Sequence, residues 1–393
     1  MKLLIYARDW APSVGGVQTI VKTLADGLAD WSRKHNEEPI EVTLLTQTPA
    51  GGMNDSQLPY RVVRNPSLMD FIREIRRADV IHLAGPTLVP LIVGYLLRRP
   101  TIVEHHGFQA ICPNGQLLYE PTQTPCPGHF MARRYGECLR CNSKLGKVKS
   151  VKMWMLTFPR RWLSQRVAAN IVPTSWLGSL LKLGRSKTIL HGLIPRESML
   201  EKRVTPTTPT FVFLGRLVST KGAGVLLEAA SLLKGRHRKF HVKIIGDGPE
   251  RQGLEKFACD LGIQNYVRFL GYIPAEQLEE SLLEATAVVM PSLGGEVFGM
   301  VAAENMQLGR LVIASDIGAL TEVLGDAGMT FATGEAEDLA RCMESVVADP
   351  LLGEKVGQKA FRRVAQMFTA DQMVGNHIRV YRENFRGRLG AEF

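Results

Sequence analysis

Short apolar runs alternate with amphipathic stretches through the first half of the chain. The apolar runs predict strands at 2–7, 40–46, 79–83, 100–104, 169–173 and 187–190. The amphipathic stretches predict helices from about Val17 and at 69–77, 87–97, 151–165 and 175–184. Because strands and helices alternate, we expect a parallel sheet covered by helices, with ligands bound beyond the carboxyl ends of the strands.

Prolines and threonines at 194–209 interrupt this pattern and predict a linker. The alternation then begins again, with strands predicted at 210–214, 241–245, from Val267, before Met290 and at 311–315. A chain of 393 residues is also too long for one ordinary hydrophobic core. We therefore predict a first domain over 1–193, a second domain over 210–368 and a C-terminal helix over 369–393 that packs back on the first domain.

Composition and charge narrow the class of protein. Hydrophobic residues make up 45% of the chain and charged residues 22%, as in a soluble globular protein. The net charge of +10 is uneven, because residues 1–200 carry +12 and residues 201–393 carry −2. A basic first half indicates either a solvated basic surface or anionic partners such as phosphorylated substrates, nucleic acid or a membrane surface.

The segment Lys144 to Arg166 combines seven Lys or Arg residues with Trp154, Phe158 and Trp162. Basic and aromatic residues together suit an interface with anionic lipid, although part of the apolar side is expected to be core. The longest apolar run, Thr87 to Leu97, is about half of what a bilayer requires, and charged residues follow the first strand at once, unlike a signal peptide. We expect a cytoplasmic protein that is either soluble or peripheral on the inner face of the membrane and that binds no nucleic acid.

Residues 108–150 are rich in proline and glycine and contain four of the six cysteines. Cys112, Cys126, Cys138 and Cys141 include one C-x-x-C pair and fit a structural tetrahedral zinc site. An iron–sulfur cluster also accepts four thiolates, and unmodified thiols are the simplest alternative. Disulfides are disfavoured without a secretory signal.

Two loops of the first half are candidate ligand sites. The first strand enters a loop that ends in Gly15 and Gly16 before a helix, an arrangement that brings backbone N–H groups to a phosphate or sugar. The G-x-G-x-x-G spacing of dinucleotide-binding loops is absent. The strand at 100–104 ends at Glu104, and His106 follows, so both are expected at the ligand-binding edge of the sheet.

The stretch from Met290 to Met306 predicts the end of a buried strand, a glycine loop and a helix. Its glycines allow a ligand close to the backbone, and the N-terminus of the helix favours phosphate. Glu296 and Glu304 are eight residues apart, or about 12 Å if most of that spacing is helical. One carboxylate could therefore bind a sugar and the other a ribose, with a diphosphate between them. The alternative is a helix N-terminal Glu and an ordinary helical Glu.

Two basic residues follow the strand at 210–214. Arg216 and Lys221 are five residues apart around a loop, so both can point into one space. A guanidinium and an ammonium group are what the developing charge of a leaving diphosphate requires.

Five motifs in this order resemble a known family: Gly215-Arg216-Leu217 followed by Lys221-Gly222, then GDGPE, RFLGY, PS-(x3)-E-x-FG-(x4)-E and ASDIG. They resemble the donor domain of retaining glycosyltransferases with the GT-B fold, glycosyltransferase family 4. The resemblance is strong over about 210–325 and looser in the first half. It implies an α/β protein with two Rossmann-like α/β/α domains that face each other across a cleft.

The resemblance also implies roles for individual residues. Arg216 and Lys221 would bind the donor diphosphate, Glu296 the sugar and Glu304 the ribose, and Glu296, Arg216, Lys221 and His106 are the implied catalytic set. The implied donor site further contains Gly215, Gly246, Leu270, Tyr272, Phe298, Gly299, Met300 and Val301, with Gly15, Gly16 and His106 contributed by the first domain. Two features depart from the family: His191 stands where Asn is common before the following glycine, and the cysteine-rich insertion is not general. Because of both departures, the resemblance does not indicate which acceptor is used.

The activity implied is transfer of a sugar, with retention, from a UDP- or GDP-sugar to a glycan or lipid-linked acceptor. No D-x-D motif occurs in the chain, so no cofactor is expected to be required for catalysis, and zinc is expected only as a structural ion at the cysteines. A nucleotide-sugar epimerase or phosphorylase on the same plan is an alternative, as is a non-enzymatic, metal-stabilised scaffold at the membrane.

Overall fold

The computed structural model describes residues 1–35, 37–195, 206–349 and 351–389. By its contacts the chain divides into two compact units. The first unit contains residues 1–115, 128–194 and 368–393, and the second contains residues 116–127 and 195–367. Most of the predicted linker, residues 196–205, lies outside the described residues. Within the described part of the chain, none of the helices has both the length and the apolar character needed to cross a bilayer.

The first unit is built on a seven-stranded sheet whose neighbouring strands all pair in parallel. Its strands are β1 (Lys2–Tyr6), β2 (Glu41–Thr46), β3 (Arg61–Arg64), β4 (Val80–Ala84), β5 (Thr101–Glu104), β8 (Ala169–Val172) and β9 (Ser186–Thr188). Their order is β3-β2-β1-β4-β5-β8-β9. The chain therefore moves outward from β1 to β3 and then returns to add β4 on the other side of β1. The carboxyl ends of β1 and β4 form the topological switch point at which ligands of such sheets bind.

Helices cover this sheet, and the last helix of the chain is one of them. They are α1 (Gly16–His35), α2 (Leu68–Arg77), α3 (Leu88–Leu96), α4 (Tyr135–Cys141), α5 (Lys147–Ser164), α6 (Ser175–Leu181) and α14 (Ala370–Leu389). Helices α1 and α14 pack so closely that a Cβ on Gly27 would lie 2.5 Å from a methyl carbon of Val374. Side chains cap some of these helices, as where the Ser67 hydroxyl accepts a hydrogen bond from the Asp70 amide at the start of α2.

The second unit repeats the same plan with six parallel strands. They are β10 (Thr210–Leu214), β11 (His241–Ile245), β12 (Val267–Gly271), β13 (Ala287–Met290), β14 (Leu311–Ser315) and β15 (Met329–Phe331), in the order β12-β11-β10-β13-β14-β15. The helices are α7 (Ala223–Gly235), α8 (Arg251–Asp260), α9 (Ala275–Ser281), α10 (Met300–Gln307), α11 (Gly318–Leu324), α12 (Ala336–Ala348) and α13 (Leu352–Met367). The switch point of this sheet lies between β10 and β13.

Both faces of the second sheet are buried, which explains why its central strands are almost wholly apolar. Along β10, Phe211 and Phe213 belong to one hydrophobic cluster, and Val212 between them belongs to another that includes Leu282 and Ala285. Because side chains alternate across a strand, each cluster lies on a different face of the sheet. The apolar run Thr210 to Leu214 therefore forms a central strand, because a central strand is buried on both faces.

The insertion at 108–150 is divided between the units, whereas we predicted that it lies wholly in the first domain. Its short antiparallel hairpin, β6 (Leu118–Tyr119) and β7 (Thr124–Pro125), is grouped with the second unit. A Cβ on Gly294 would lie 3.1 Å from the carbonyl oxygen of Gln116 and 3.2 Å from the Cβ of Leu118. The segment before the hairpin thus packs on the glycine loop of the second unit, a contact that apolar periodicity does not predict.

Candidate active site

The loops after β10 and β13 meet at the switch point of the second unit. The Lys221 ammonium group forms an ion pair with the Glu296 carboxylate, although the two residues are 75 positions apart. Backbone hydrogen bonds connect the same loops, since the amide of Leu293 donates to the Thr220 carbonyl at 2.8 Å. The structure thus brings together two of the residues predicted to be catalytic, and it does so at the place where the fold predicts a ligand.

Glu296 is held in place by polar contacts. The side chain of Glu296 is 8% exposed, while that of Lys221 is 26% exposed. The Ser292 hydroxyl donates a hydrogen bond to the same carboxylate oxygen at 3.0 Å, and the Ser315 hydroxyl donates to the Ser292 carbonyl at 2.7 Å. A nearly buried carboxylate is therefore paired with a cation that is more accessible to a ligand.

Close backbone packing explains several glycines of the sequence motifs. Gly222 has a positive φ of 63°, and a Cβ there would lie 2.0 Å from the carbonyl oxygen of Pro291. Gly246 has a φ of 132°, and a Cβ there would lie 1.9 Å from the carbonyl oxygen of Gly215. Contacts this short exclude any other residue without movement of the backbone. The loops around Lys221 are thus packed against each other without side chains between them.

Helix α10 begins directly after the loop that contains Glu296. Gly299 is its N-cap, with a φ of 95°, and a Cβ there would lie 2.4 Å from a methyl carbon of Leu320. Phe298 is 1% exposed, so its ring is part of the core beneath the loop. Met300, Val301 and Glu304 are partly exposed on the helix itself. The first turn of α10 offers the unpaired N–H groups that favour a phosphate.

The remaining predicted donor residues also follow the carboxyl ends of strands. Gly215 and Arg216 follow β10, Gly246 follows β11, and Leu270 and Tyr272 lie at the end of β12. These strands are neighbours in the sheet, so all five residues lie along one edge. Arg216 is exposed and Tyr272 is 69% exposed. The positions suit the predicted roles, and the contacts with a donor stay a prediction.

The switch point of the first unit contains a cavity of about 350 Å³. Polar side chains in its lining are those of Arg8, Asp9, Gln18, Thr87, His106, Gln109 and Arg160. The glycine loop predicted from Gly15 and Gly16 is adjacent, since α1 begins at Gly16. Arg160 is fixed in the wall by a hydrogen bond from its Nε to the Pro86 carbonyl at 3.0 Å. The cavity therefore offers both donors and an acceptor to a polar ligand.

A cluster of histidines surrounds Glu104 in the first unit. Its Oε2 lies 3.2 Å from His82 Nε2, 3.5 Å from His106 Nε2 and 3.6 Å from His377 Nε2. Its Oε1 lies 3.6 Å from His191 Nδ1. The side chains of Glu104, His82 and His377 are wholly buried. Glu104 and His106 were expected at this edge of the sheet, whereas their contacts with His82 and His377 were not predicted.

Charge and burial act in opposite directions within this cluster. Burial raises the pKa of the Glu104 carboxyl, but the surrounding histidines, chiefly His106 and His377, outweigh it and hold that pKa well below its usual range. Burial lowers the pKa of His82 and lowers that of His191 to about 3. Burial also raises the pKa of Tyr381 well above its usual value. The cluster therefore contains an ionised carboxylate, at least two neutral imidazoles and an intact phenol at neutral pH.

His105 has a different role from its neighbours. Burial lowers the pKa of His105 to about 4, so the imidazole is neutral at pH 7. The Asn170 amide donates to the carbonyls of Ser164 and Gly184, both at 2.9 Å, which leaves its oxygen facing His105 Nε2 at 2.8 Å. His105 therefore donates from Nε2 and connects β5 to β8 as a structural residue.

The four cysteines of the insertion are distributed over both units. Cys112, Cys138 and Cys141 are buried in the first unit, and Cys126 belongs to the second. Within the described residues, the groups of three or more potential metal ligands are His82, Glu104 and His377, and Glu104, His106 and His191. Neither group contains a cysteine. A four-thiolate zinc site stays a prediction that metal analysis can test.

Comparison with known proteins agrees with the geometry of the second unit. Residues 196–363 match the family described as Glycosyl transferases group 1. Over this part of the chain, the match agrees with the resemblance at the level of the Glycosyl transferases group 1 family.

Curated relatives and solved structures extend the comparison to the rest of the chain. The alpha-D-kanosaminyltransferase of Streptomyces kanamyceticus is 28% identical over 321 residues, which cover 79% of this chain and 78% of that protein. The phosphatidyl-myo-inositol mannosyltransferase of Mycolicibacterium smegmatis is 35% identical over 158 residues, but these cover only 39% of this chain and 40% of that protein.

The structural comparisons cover nearly the whole chain. The Anabaena protein Alr3699/HepE, solved in complex with UDP and glucose, has a TM-score of 0.70 at 17% identity over 98% of this chain and 100% of its own. A sucrose-phosphate synthase from Thermosynechococcus elongatus has a TM-score of 0.71 at 18% identity over 98% of this chain and 99% of its own. These similarities confirm the predicted fold class, GT-B with two Rossmann-like domains.

Proposed function

We propose that the protein is a retaining glycosyltransferase that uses a nucleotide-diphosphate sugar as donor. The observation that carries this proposal is the Lys221–Glu296 ion pair at the switch point of the Glycosyl transferases group 1 domain. It supplies an accessible cation for a diphosphate and a nearly buried carboxylate for a sugar within one site. The UDP and UDP-glucose bound by the Anabaena structures support a nucleotide-sugar donor, and UDP- and GDP-sugars are the first candidates.

The residues of the second unit would act mainly on the leaving group. As the bond between the sugar C1 and the β-phosphate oxygen breaks, Lys221, Arg216 and the N-terminus of α10 stabilise the charge on the diphosphate. Glu296 accepts hydrogen bonds from sugar hydroxyls and fixes the orientation of the ring. The acceptor oxygen bonds to C1 on the face that the diphosphate leaves, and its proton passes to the departing phosphate oxygen. This sequence retains the anomeric configuration.

We place the acceptor in the cavity of the first unit, where His106 lies in the lining. Gln18, Gln109 and Arg160 are suited to bind hydroxyl or phosphate groups of an acceptor. His106 would position the attacking hydroxyl, and Glu104 behind it would orient the imidazole, since their closest atoms are 3.5 Å apart.

Binding of nucleoside diphosphates is the first test of this function. Thermal unfolding of the purified chain should shift upward with the cognate nucleoside diphosphate and its sugar, by about 2.7 kcal/mol of stability at a ligand concentration of 100 Kd. Transfer is then measured with the best donor and a panel of glycan and lipid-linked acceptors. An epimerised or phosphorolysed sugar in the absence of acceptor would instead support an epimerase or phosphorylase.

The two glutamates of the donor site should separate binding from transfer. Glu304→Gln should raise the Kd for the bare nucleoside diphosphate by about tenfold to a hundredfold, because hydrogen bonds to a charged group contribute about 1.5–3 kcal/mol. Glu296→Gln should leave that Kd close to wild type and lower the rate of transfer. The exposed Glu354→Gln in α13 is a matched control. Equal losses of nucleotide affinity in both variants would contradict the assignment of Glu304 to the ribose and Glu296 to the sugar.

We also propose that the first unit docks on an anionic membrane through helix α5. Exposed apolar residues on this helix recur at intervals of three and four positions and therefore share one face: Val148, Val151, Met155, Phe158 and Trp162. Trp162 is 44% exposed, whereas Trp154 packs against Tyr135 and Phe158 in an aromatic cluster. Helix α3 extends the apolar surface, since Tyr95 contacts Trp162 with ring centroids 5.5 Å apart.

Charge complementarity favours lipid over a protein partner at this surface. Lys144, Lys147, Lys149 and Lys152 are all exposed near the start of α5. A basic residue close to an anionic membrane contributes about 1 kcal/mol, screened beyond about 10 Å, and apolar side chains can then enter the headgroup region. The mycobacterial relative named for phosphatidyl-myo-inositol supports an acceptor held in a membrane.

Liposome flotation tests this docking. Binding should require anionic lipid and decrease at high salt, and replacing Lys147, Lys149 and Lys152 together by Gln should weaken it by about a hundredfold. Trp162→Ser should weaken binding at every salt concentration, while Leu351→Ser, at an exposed apolar position of the second unit, should not. Binding that does not depend on lipid charge, or no binding at all, would favour a soluble acceptor.

A further inference from the structure

The histidine cluster around Glu104 contains polar atoms that make no hydrogen bond. Nε2 of His82, Nε2 of His377, Nε2 of His106 and both carboxylate oxygens of Glu104 are buried and without a hydrogen-bond partner. Leaving such groups unsatisfied destabilises the folded state, and a charged group does so more than a neutral one. The three nitrogens all lie 3.2–3.6 Å from one of these oxygens, Oε2 of Glu104, and therefore need a common explanation.

His377 has one ring nitrogen anchored to the protein backbone. Its Nδ1 faces the main-chain carbonyl of Met373 at 2.8 Å, and a carbonyl can only accept, so Nδ1 carries a hydrogen. Its Nε2 lies 3.6 Å from Oε2 of Glu104 and makes no hydrogen bond. The inner nitrogen is therefore the one placed to bind a shared ion.

The outer nitrogen of His82 is anchored in a similar way. Its Nδ1 lies 3.0 Å from the Tyr381 hydroxyl, which also belongs to α14. Histidines that bind metals characteristically use one ring nitrogen for the ion and the other for a carbonyl, carboxylate or similar partner, which fixes the orientation of the ring. His82 and His377 both have this arrangement, with the inner nitrogens directed at the same carboxylate oxygen.

The separations between these atoms fit a shared ion better than direct hydrogen bonds. A tetrahedral zinc ion with bonds of about 2.0–2.1 Å separates its ligand atoms by about 3.3 Å. The Glu104 Oε2 lies 3.2 Å from His82 Nε2 and 3.6 Å from His377 Nε2, and the three ligand atoms all lie within 4.8 Å of one another. Charged N–H···O hydrogen bonds are typically shorter, at about 2.7–2.9 Å.

We propose that Glu104, His82 and His377 bind one divalent transition-metal ion, zinc first among the candidates, inside the first unit. Two imidazoles and one carboxylate are ligands that suit zinc, and an ion of charge +2 neutralises the buried carboxylate. The ion connects β4, β5 and α14, so the site is structural. Its position behind His106 also lets it fix the carboxylate that orients that residue. The inference does not depend on glycosyl transfer, because metal binding is measured without any substrate.

Metal content and a cobalt spectrum test the site on the full-length protein. Purified protein is stripped with chelator, dialysed against Zn²⁺ or Co²⁺, and its bound metal is measured by elemental analysis. Wild type should retain at least one ion per chain, and His82→Gln and His377→Gln should each lose one ion. The exposed His35→Gln in the same unit should retain the wild-type content.

The cobalt spectrum distinguishes this site from the four cysteines. A Co²⁺ ion held by imidazole and carboxylate gives visible d–d bands but no near-ultraviolet charge-transfer band, which requires a cobalt–thiolate bond. The d–d bands should therefore weaken in His377→Gln, while any thiolate band should keep its wild-type intensity. The proposal is overturned if wild type takes up no ion, or if its only bound ion shows the thiolate band. Should the glutamine variants not fold, the wild-type spectrum and stoichiometry decide by the same criteria.

Discussion

Replacing Lys221 by alanine should lower the turnover number of sugar transfer by about 10²- to 10³-fold, an effect of about 3–4 kcal/mol. The ammonium group contacts Glu296 at the switch point of the second unit, and we propose that it stabilises a leaving diphosphate. Its removal takes away a charge that acts most strongly in the transition state. The decrease should appear in kcat more than in the KM for the donor, measured by steady-state kinetics with saturating acceptor.

The matched control for this variant is Lys243→Ala. Lys243 also pairs with a carboxylate in the same unit, that of Glu284, at 2.8 Å. Glu284 precedes β13, whereas the glycine loop follows the other end of that strand. The Lys243→Ala variant should keep a turnover number within about twofold of wild type. Arg216→Ala should show a similar decrease to Lys221→Ala, because both cations serve the same phosphates. Wild-type turnover in both Arg216→Ala and Lys221→Ala would remove the basis for the donor site.

The second large effect concerns stability, and it arises from a glycine. Gly246→Ala should lower the free energy of unfolding of the second unit by about 3 kcal/mol or more. A Cβ at this position would lie 1.9 Å from the Gly215 carbonyl oxygen, and the φ of 132° is itself strained for any residue with a side chain. For a unit of this size the unfolding midpoint should decrease by about 6–12 °C in calorimetry.

Gly253→Ala provides the comparison for that measurement. Gly253 lies in helix α8, and a Cβ there would have no atom within 4 Å. Alanine should therefore stabilise the helix slightly, by about 1 kcal/mol or less. Equal midpoints for Gly246→Ala and Gly253→Ala would mean that the loops after β10 and β11 move apart easily, which would contradict their close packing.

Strongly patterned elements could be predicted from the sequence, and weakly patterned ones could not. The run Thr210 to Leu214 predicted β10 with its observed ends, because an apolar run between turn residues fits a central strand of a parallel sheet. Strand β3 was missed, since Arg61–Arg64 contains only two apolar residues and lies at the edge of its sheet. Edge strands are only partly buried, so they lack the signal on which the prediction depends.

The site around Lys221 and Glu296 could likewise be predicted from the sequence, and the histidine cluster could not. Residues of the donor site cluster in sequence around glycine loops, so spacing alone indicated Lys221, Glu296 and the start of α10. The histidine cluster is assembled from residues 82, 104 and 377, and no local pattern connects them. A signal was nonetheless present, because a histidine within the apolar run Val80 to Ala84 must be buried and therefore needs a polar partner.

Helix α14 has a consequence for the order in which the protein is made. It completes the first unit, yet the ribosome synthesises it only after residues 195–367 of the second. At about 5–20 residues per second, that interval is on the order of 10–30 s. Throughout it, the surface of α1 that receives α14 and the side chains of His82 and Glu104 are exposed on an unfinished domain. A chain halted before Ala370 should therefore leave exposed the face of α1 on which α14 packs.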